Sequence, residues 1–290
     1  MADKIGIIGG SGLYDLAALT HTSWQAVATP FGDPSDEVLS GKIGDTEVCF
    51  LPRHGRGHRI LPSEINFRAN LWALKKLGVT RVVSVSAVGS MKEEIAPGHL
   101  VVPDQFIDRT QGRASTFFGD GIVGHVSFGD PVCPDLATTL YDAAKSAGAT
   151  VHKGGSYICI NGPQFSTRAE SHSYRQIGVS VIGMTNMPEA KLAREAELCY
   201  ATLALSTDYD CWHEGEAPVT VEAVMAVMGR NIEAAKKTVT LAAPKANRSG
   251  SGSCGCGTAL QFAVMTDPKR IPAKTREKLD LLVGKYLPRG

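Results

Sequence analysis

The sequence has almost no net charge and no long apolar run, and both absences narrow the class of protein. Thirty basic residues balance 29 acidic ones, leaving a formal net charge of +1, so nothing electrostatic favours binding to nucleic acid or to an anionic membrane surface. No apolar run approaches the roughly 20 residues of a membrane-spanning helix, and the N-terminus lacks the basic and apolar regions of a signal peptide. We therefore expect a soluble cytoplasmic protein without nucleic-acid or membrane partners.

Two common nucleotide-binding motifs are also missing. The stretch from Gly10 to Asp15 lacks the third glycine of the dinucleotide fingerprint, and no P-loop sequence occurs anywhere in the chain. What is present is a glycine-rich turn after a short apolar strand, Gly9-Gly10-Ser11-Gly12. Its backbone N–H groups and the Ser11 hydroxyl suit a small free oxyanion, although such a turn can also be purely structural.

The seven cysteines show no metal-binding spacing. Only Cys254 and Cys256 are close together, whereas Cys49, Cys133, Cys159, Cys199 and Cys211 stand singly in apolar stretches. Because a zinc site usually has further Cys or His ligands at close spacing, we expect no metal and predict buried free thiols. A redox or disulfide role for the Cys254–Cys256 pair is the alternative.

Apolar β-branched runs alternate with helical patterns along the chain, which predicts an α/β fold around a central mixed sheet flanked by helices. Strands are predicted at Lys4–Ile8, Glu47–Leu51, Arg81–Val85, His99–Val102, Val179–Met184 and Tyr200–Thr207. Helices are predicted from Pro62-Ser63-Glu64 to Gly78, from an Asp135 cap to Ala147, from Pro188-Glu189, after Thr220, and over Lys274–Tyr286. At 290 residues and 43% hydrophobic, the chain is expected to form one domain, with a flexible loop near 247–257 before the C-terminal helix.

Polar clusters follow several of these strands, where ligands gather in α/β folds. Arg53 and His54 come after one strand, Ser86 and Ala87 after the next, and Thr185 after a later one. Guanidinium, imidazole, hydroxyl and N–H groups together favour an oxyanion such as phosphate. Taken singly, Arg53 and His54 are also compatible with a solvated surface loop.

The last cluster, Thr207-Asp208-Tyr209-Asp210, is acidic. In an extended segment, residues two apart point to the same face, so Asp208 and Asp210 can reach a single ligand. A metal site would need further carboxylates nearby, and two solvent-facing acids are a second alternative. Recognition of hydrogen-bond donors on a ring is the interpretation that fits best.

These clusters, in this order, resemble the trimeric nucleoside phosphorylases, and most closely the 5′-methylthioadenosine phosphorylase family. The matching segments are GIIGGSGLYDL, LPRHGRGHRILPSEINFRAN, VSAVGSMKEEIAPG, GPQFSTRAES, GMTNMPEAKLAREAELCYA and TDYDCW. The tail beyond Asn247 matches less well. It resembles that of prokaryotic members, some of which carry disulfides there.

The resemblance implies a role for each matching position. Phosphate would be bound at Ser11, Arg53, His54, Ser86, Ala87 and Thr185. The nucleoside would be bound at Phe165, Met184, Asp208, Asp210, His125, Val221, Val224 and Met225. Among these, Asp208 would protonate N7 of the base as the catalytic acid, and Asp210 would accept from the 6-amino group. His125 would reach into the site of a neighbouring subunit.

The implied activity is phosphorolysis of 5′-methylthioadenosine to adenine and 5-methylthioribose 1-phosphate, in purine and methionine salvage, by a pentosyltransferase. The resemblance implies a homotrimer with sites shared at its interfaces, inorganic phosphate as co-substrate and no cofactor. A carboxylate at Asp210 accepts from an amine but would oppose a 6-oxo group, which favours adenine. The alternatives are a phosphorylase acting on inosine or 5′-methylthioinosine and, in a different class, a nucleoside-binding protein without turnover.

Overall fold

The structure is a computed structural model that describes residues 4–10, 12–13, 15–213, 221–246 and 254–288. It contains eleven strands within those ranges: β1 Lys4–Gly9, β2 Leu19–Gln25, β3 Val38–Ile43, β4 Thr46–Pro52, β5 Val79–Ser90, β6 Leu100–Val102, β7 Gln105–Asp108, β8 Val151–Lys153, β9 Ser156–Cys159, β10 Val181–Gly183 and β11 Cys199–Asp208. The helices are α1 Phe67–Lys76, α2 Pro134–Ser146, α3 Arg168–Gln176, α4 Asn186–Glu195, α5 Val221–Ala246 and α6 Ala273–Val283. None of the described helices is long and apolar enough to cross a bilayer.

All the strands belong to one mixed sheet, which confirms the predicted α/β fold. Strands β4, β1, β5 and β11 lie side by side and parallel at its centre, while β2, β3 and β10 add antiparallel pairings. Parallel strands end at the same edge of a sheet, and ligands in such folds bind beyond that edge. The segments that follow β1, β4, β5 and β11 therefore start on the same side of the molecule.

Alternating residues of the central strands pack into two cores, one on each face of the sheet. In β1, Ile8 joins one core and Ile5 and Ile7 join the other. Helices α1, α4 and α6 cover the first face, and α2 and α5 cover the second. Since both faces are covered, these strands are buried along nearly their whole length rather than on one face only.

Two predicted helix starts were wrong. The first helix begins at Phe67, because the Asn66 side chain accepts a hydrogen bond from the Ala69 N–H and caps it there, whereas residues 62–64 form a turn. The second begins at Pro134 after Cys133. Asp135 therefore lies inside its first turn, where a carboxylate stabilises the helix dipole without capping it.

Several elements depart from the sequence-based boundaries. Helix α4 already begins at Asn186, with Met187 in a non-helical conformation, and the last helix ends at Val283 before a short turn of 3-10 helix. Most of the predicted flexible loop near 247–257 lies outside the described residues. Its described end is a 3-10 helix, Gly255–Thr258, rather than a loop.

Candidate functional site

Arg53 follows β4 and lies in the interior, paired with a buried carboxylate. Its side chain is 2% exposed, and that of Glu189 is fully buried. Arg53 Nε donates to Glu189 Oε2 at 2.8 Å and Nη2 donates to Oε1 at 3.0 Å, a bidentate pair. Burial alone would lower the pKa of Arg53, but the Glu189 carboxylate raises it above its ordinary value. The guanidinium therefore stays charged and is held in one orientation.

The remaining donors of Arg53 connect three central strands. Nη1 donates to the Val85 carbonyl at 2.9 Å, and Nη2 donates to the Ile8 carbonyl at 3.2 Å and to Ser84 Oγ at 2.7 Å. The backbone N–H of Arg53 donates to the Gly9 carbonyl at 2.9 Å. Arg53 thus joins the end of β1, which opens the glycine-rich turn, to β5 just before Ser86. Ser11 itself lies outside the described residues.

His54 is neutral, and its hydrogen-bond partner shows which ring nitrogen carries the proton. Burial lowers its pKa to about 4, so the ring is uncharged at neutral pH. Its Nδ1 lies 2.8 Å from the Ile60 carbonyl, which can only accept, so Nδ1 carries the hydrogen. The ring also stacks on His58 at 4.4 Å between centroids. His54 can therefore contact an anion without adding a positive charge.

Ser86 and Thr185 meet, although 99 residues separate them in sequence: their hydroxyl oxygens are 3.1 Å apart. The Tyr157 hydroxyl lies 3.2 Å from Ser86 Oγ, and burial raises the pKa of Tyr157, which keeps its proton in place. Ala87, next along β5, is exposed. The structure therefore places His54, Ser86, Ala87 and Thr185 in the region of Arg53. The hydroxyl groups of Ser86 and Thr185 can rotate to donate or to accept hydrogen bonds.

Asp208 ends β11 and takes part in a short hydrogen-bonded chain. Its Oδ1 accepts from the Asp210 N–H at 2.8 Å, and its Oδ2 lies 2.7 Å from Thr207 Oγ1, which is in turn 3.2 Å from the Val88 carbonyl. The single hydroxyl hydrogen of Thr207 can go to only one of these two oxygens. Both carboxylate oxygens of Asp208 are therefore oriented by hydrogen bonds with neighbouring residues of its own segment.

Asp210 is buried at 8% exposure, and this burial raises its pKa. Both acids lie against Gly89 of β5: a side chain there would come within 2.9 Å of Asp208 Oδ1 and 3.4 Å of Asp210 Cβ. The two acids therefore lie close together, but not in the predicted extended segment: β11 ends at Asp208, and Asp210 has a left-handed backbone conformation with φ 52°. Trp212 fixes the segment that carries them, because its Nε1 donates to the Ser90 carbonyl at 2.7 Å.

Phe165 lies near this acidic segment, and Met184 is held by a separate contact. Cys211, one residue beyond Asp210, donates from Sγ to the Ser166 carbonyl at 3.3 Å, which brings the exposed Phe165 nearby. Arg113 Nη1 donates to the Met184 carbonyl at 2.8 Å. The backbone of Met184, which the resemblance places at the ribose, is thereby held in position.

The remaining predicted nucleoside residues lie on two separate segments. His125 is exposed, and its N–H donates to the Ala263 carbonyl at 2.9 Å, so its contacts are with the C-terminal segment. Met225 lies in the first turns of α5 and is 62% exposed. The side chains of Val221 and Val224 lie outside what the structure describes.

Sequence reasoning missed three residues that position the site. Glu189 orients Arg53, Arg113 binds the Met184 carbonyl, and Asn231 of α5 donates to the Ser206 carbonyl at 2.8 Å, two residues before Asp208. Only Glu189 left a local signal, as an acid in the first turn of a predicted helix. Arg113 and Asn231 act through contacts that no local pattern reveals.

The prediction about the cysteines rested on wrong reasoning. Although they are scattered along the chain, Cys133, Cys199, Cys254 and Cys256 converge, with their sulfur atoms all within 4.8 Å of one another. Separation in sequence therefore does not exclude a metal-binding group here. This four-cysteine cluster lies at the opposite end of β11 from Asp208.

Comparison with known proteins agrees with this geometry. The model of the phosphorylase superfamily matches residues 4–243. The S-methyl-5′-thioadenosine phosphorylase of Geobacter sulfurreducens is 58% identical, with 99% of this chain and all of that protein aligned. That of Koribacter versatilis is 54% identical, with 99% of this chain and 97% of that protein aligned.

Solved structures show the same likeness. A methylthioadenosine phosphorylase from an antarctic soil metagenomic library superposes with a TM-score of 0.92 at 49% identity, covering 97% of this chain and 99% of that one. A mutant of the adenosine/methylthioadenosine phosphorylase of Schistosoma mansoni, in complex with methylthioadenosine, superposes with a TM-score of 0.79 at 38% identity. The match covers 84% of this chain and 91% of that one. The chain therefore belongs to the phosphorylase superfamily and, within it, to the family of the S-methyl-5′-thioadenosine phosphorylases.

Proposed function

We propose that the chain catalyses the phosphorolysis of 5′-methylthioadenosine. Inorganic phosphate attacks C1′ of the sugar, the N-glycosidic bond breaks, and the products are adenine and 5-methylthioribose 1-phosphate. The observation that carries this proposal is the pairing, beyond one edge of the sheet, of an anion-binding cluster around Arg53 with the acids Asp208 and Asp210. We propose phosphate as the co-substrate, with no cofactor.

The phosphate end is supported by the kind of groups that meet there. Ser86 and Thr185 offer hydroxyls 3.1 Å apart, and His54 is an uncharged ring. The charge of Arg53 is already paired with Glu189. A phosphate bound chiefly by dipoles keeps much of its negative charge, which stabilises a developing oxocarbenium ion above it and supplies the nucleophile.

At the base end, the leaving purine must be protonated, and the site must distinguish adenine from other purines. Asp208, joined to the Thr207 hydroxyl at 2.7 Å, is the group we propose as general acid toward N7. Burial makes the Asp210 carboxylate poorly solvated, and the 6-amino group of adenine would supply a donor that compensates for the lost water. A 6-oxo group would supply only an acceptor.

We further propose a homotrimer in which His125 contributes to a neighbouring site. Around His125, a ribbon of residues 123–125 and 263–265 is held by backbone hydrogen bonds, including Met265 N–H to the Val123 carbonyl at 2.9 Å. Three apolar side chains of this region are exposed: Val123 at 51%, Phe262 at 87% and Met265 at 68%. Such clustered apolar exposure is typical of a surface covered by another subunit. The mass of the native protein in solution tests this, and an active monomer would contradict it.

We also propose that residues 1–290 act as a single domain in the cytoplasm. The described strands all belong to one sheet, and Arg53, Ser86 and Asp208 lie in or directly after its strands. The seven cysteines form no disulfide with one another, which is consistent with a reducing compartment.

The deciding experiment compares initial rates on 5′-methylthioadenosine, adenosine, inosine and 5′-methylthioinosine, each with and without inorganic phosphate. We expect adenine release that requires phosphate and is fastest from the methylthio nucleoside. Faster cleavage of either hypoxanthine nucleoside would refute the assigned role of Asp210. Turnover that does not depend on phosphate would refute the phosphorylase assignment.

A further inference from the structure

The four-cysteine cluster joins three separate parts of the chain. Cys133 directly precedes α2, Cys199 is the first residue of β11, and Cys254 and Cys256 belong to the C-terminal segment beyond the undescribed residues 247–253. Three of the side chains are at most 8% exposed, and Cys254 is half-buried. A backbone hydrogen bond from the Cys133 N–H to the Tyr200 carbonyl, at 2.8 Å, holds the first two cysteines side by side.

The spacing of the sulfur atoms fits one tetrahedral ion. With Zn–S bonds of about 2.3 Å, tetrahedral geometry puts the sulfur atoms about 3.8 Å apart. Here Cys199 Sγ and Cys254 Sγ are 3.5 Å apart, and all four sulfur atoms lie within 4.8 Å of one another. Two disulfides would bring the sulfur atoms together only in pairs, at about 2.05 Å. A cluster of several iron atoms would hold its thiolates farther apart than this.

The position of Cys133 favours negative charge on its sulfur atom. Cys133 lies at the N-terminus of α2, where the helix dipole stabilises a thiolate. Two lysines are close by. Lys285 Nζ donates to the Gly257 carbonyl at 3.2 Å and also pairs with Glu197, and Lys75 lies within electrostatic range of Cys199.

We propose that the four-cysteine cluster binds one Zn²⁺ ion as a structural centre. The ion replaces the protons that remain on the four thiols and forms four Zn–S bonds. Because all four positions of the tetrahedron are then filled by protein, no position is left for water or substrate, which is the pattern of structural rather than catalytic zinc. Cys199 and Asp208 stand at opposite ends of β11, about 30 Å apart at roughly 3.3 Å per residue, so this inference does not depend on the proposed function.

A zinc ion here would fasten the C-terminal segment to the body of the protein. At present that segment is anchored near the cluster by Glu197, whose carboxylate accepts from the Leu260 N–H at 3.0 Å and from the Tyr286 hydroxyl at 2.6 Å. Cys254 and Cys256 would add two coordinate bonds just before these contacts. The segment also carries Ala263, which binds the backbone of His125.

The test is the metal content of the full-length protein, purified under reducing conditions with added zinc and freed of loosely bound metal by gel filtration. We expect about one zinc per chain in the wild type, as for a closed four-ligand site. Cys256→Ala should lose this zinc. The matched control, Cys49→Ala, removes an equally buried thiol outside the cluster and should keep it.

A second measurement does not depend on whether Cys256→Ala folds. Zinc is removed from the wild-type protein with a chelator and replaced by Co²⁺, which should produce the visible absorption of tetrahedral cobalt and thiolate-to-metal charge transfer in the near ultraviolet. Absence of bound zinc, equal zinc in wild type and Cys256→Ala, iron in place of zinc, or disulfides among the four cysteines would each overturn the proposal.

Discussion

The sharpest prediction concerns Glu189, because a buried charge depends on it. In Glu189→Gln the side chain keeps its size, but the negative charge that faces Arg53 is lost, and a fully buried guanidinium is left without a counter-charge. Removing one partner of a buried ion pair lowers stability by about 3–5 kcal/mol. The amide oxygen can still accept hydrogen bonds from Arg53, Ser84 or Tyr200, so we expect a loss near the lower end, about 3 kcal/mol.

The assay is urea denaturation in phosphate-free buffer at a fixed protein concentration, so that neither ligand binding nor association differs between variants. The matched control is Glu47→Gln, which removes one partner of the exposed Lys4–Glu47 pair and should change the free energy of unfolding by less than about 1 kcal/mol. The slope of the transition should be the same in all three proteins, since the surface exposed on unfolding does not change.

The same variant should separate the two substrates kinetically. Arg53 loses the contact that orients it, so the KM for phosphate should rise more than the KM for the nucleoside. If Glu189→Gln is as stable as the control, the guanidinium is satisfied by Ser84 and by the carbonyls of Ile8 and Val85 alone. The positioning role of Glu189 would then be refuted.

Three further predictions address His54, Asp208 and Asp210. Because burial lowers the pKa of His54 to about 4, the unfolded chain takes up a proton below about pH 6.5 that the native protein does not, and native stability falls toward acid. His54→Gln should remove about 2 kcal/mol of the loss between about pH 7.5 and pH 5 in urea denaturation, and an unchanged pH slope would contradict the assignment. Asp208→Asn should lower kcat by about 10²- to 10⁴-fold and leave the KM for phosphate nearly unchanged in steady-state assays, whereas a wild-type rate would exclude it as proton donor. Asp210→Asn should lower the ratio of kcat/KM for adenine over hypoxanthine nucleosides by about tenfold or more, and an unchanged ratio would remove it as the selector of the base.

The predicted strands that were found are those buried on both faces. In β1, β5 and β11, nearly every residue faces one of the two cores, so the apolar run itself identifies the strand. By contrast, most residues of β2 are polar and exposed, and this strand is stabilised by its pairing with β3. No local apolar pattern predicts a strand that is stabilised by its partner.

Helix α3 shows a signal that was present but not used. Thr167 and Glu170 form a capping box, with the Thr167 side chain accepting from the Glu170 N–H and the Glu170 carboxylate accepting from the Thr167 N–H. Only Ser171 is buried in the whole helix. The apolar periodicity that predicted the other helices is therefore missing, although the cap alone indicates where this one starts.

For the site, the ends of parallel strands explain why Arg53 and Asp208 lie at the same edge of the sheet. The predicted position of Ser86 and Ala87 after a strand was wrong, because β5 continues past Val85 to Ser90 and contains both residues. The partner of Arg53 lies 136 residues away, and Glu189 contributes by charge compensation that appears only after folding. The cysteines illustrate the same limit. Cys133 and Cys199 come together through the pairing of a loop with β11, and nothing in their local sequences reflects it.

The proton on His54 Nδ1 has a consequence for anion selectivity at the proposed phosphate site. Since Nδ1 donates to the Ile60 carbonyl and the ring is neutral, Nε2 presents a lone pair. Hydrogen phosphate carries a proton that it can donate to that lone pair. Sulfate has nearly the same size and shape but carries no proton at neutral pH. The lone pairs of its oxygen atoms would therefore be repelled by the lone pair of His54 Nε2. If phosphate binds at His54 as we propose, an uncharged imidazole would therefore distinguish two oxyanions of similar size by whether they carry a proton.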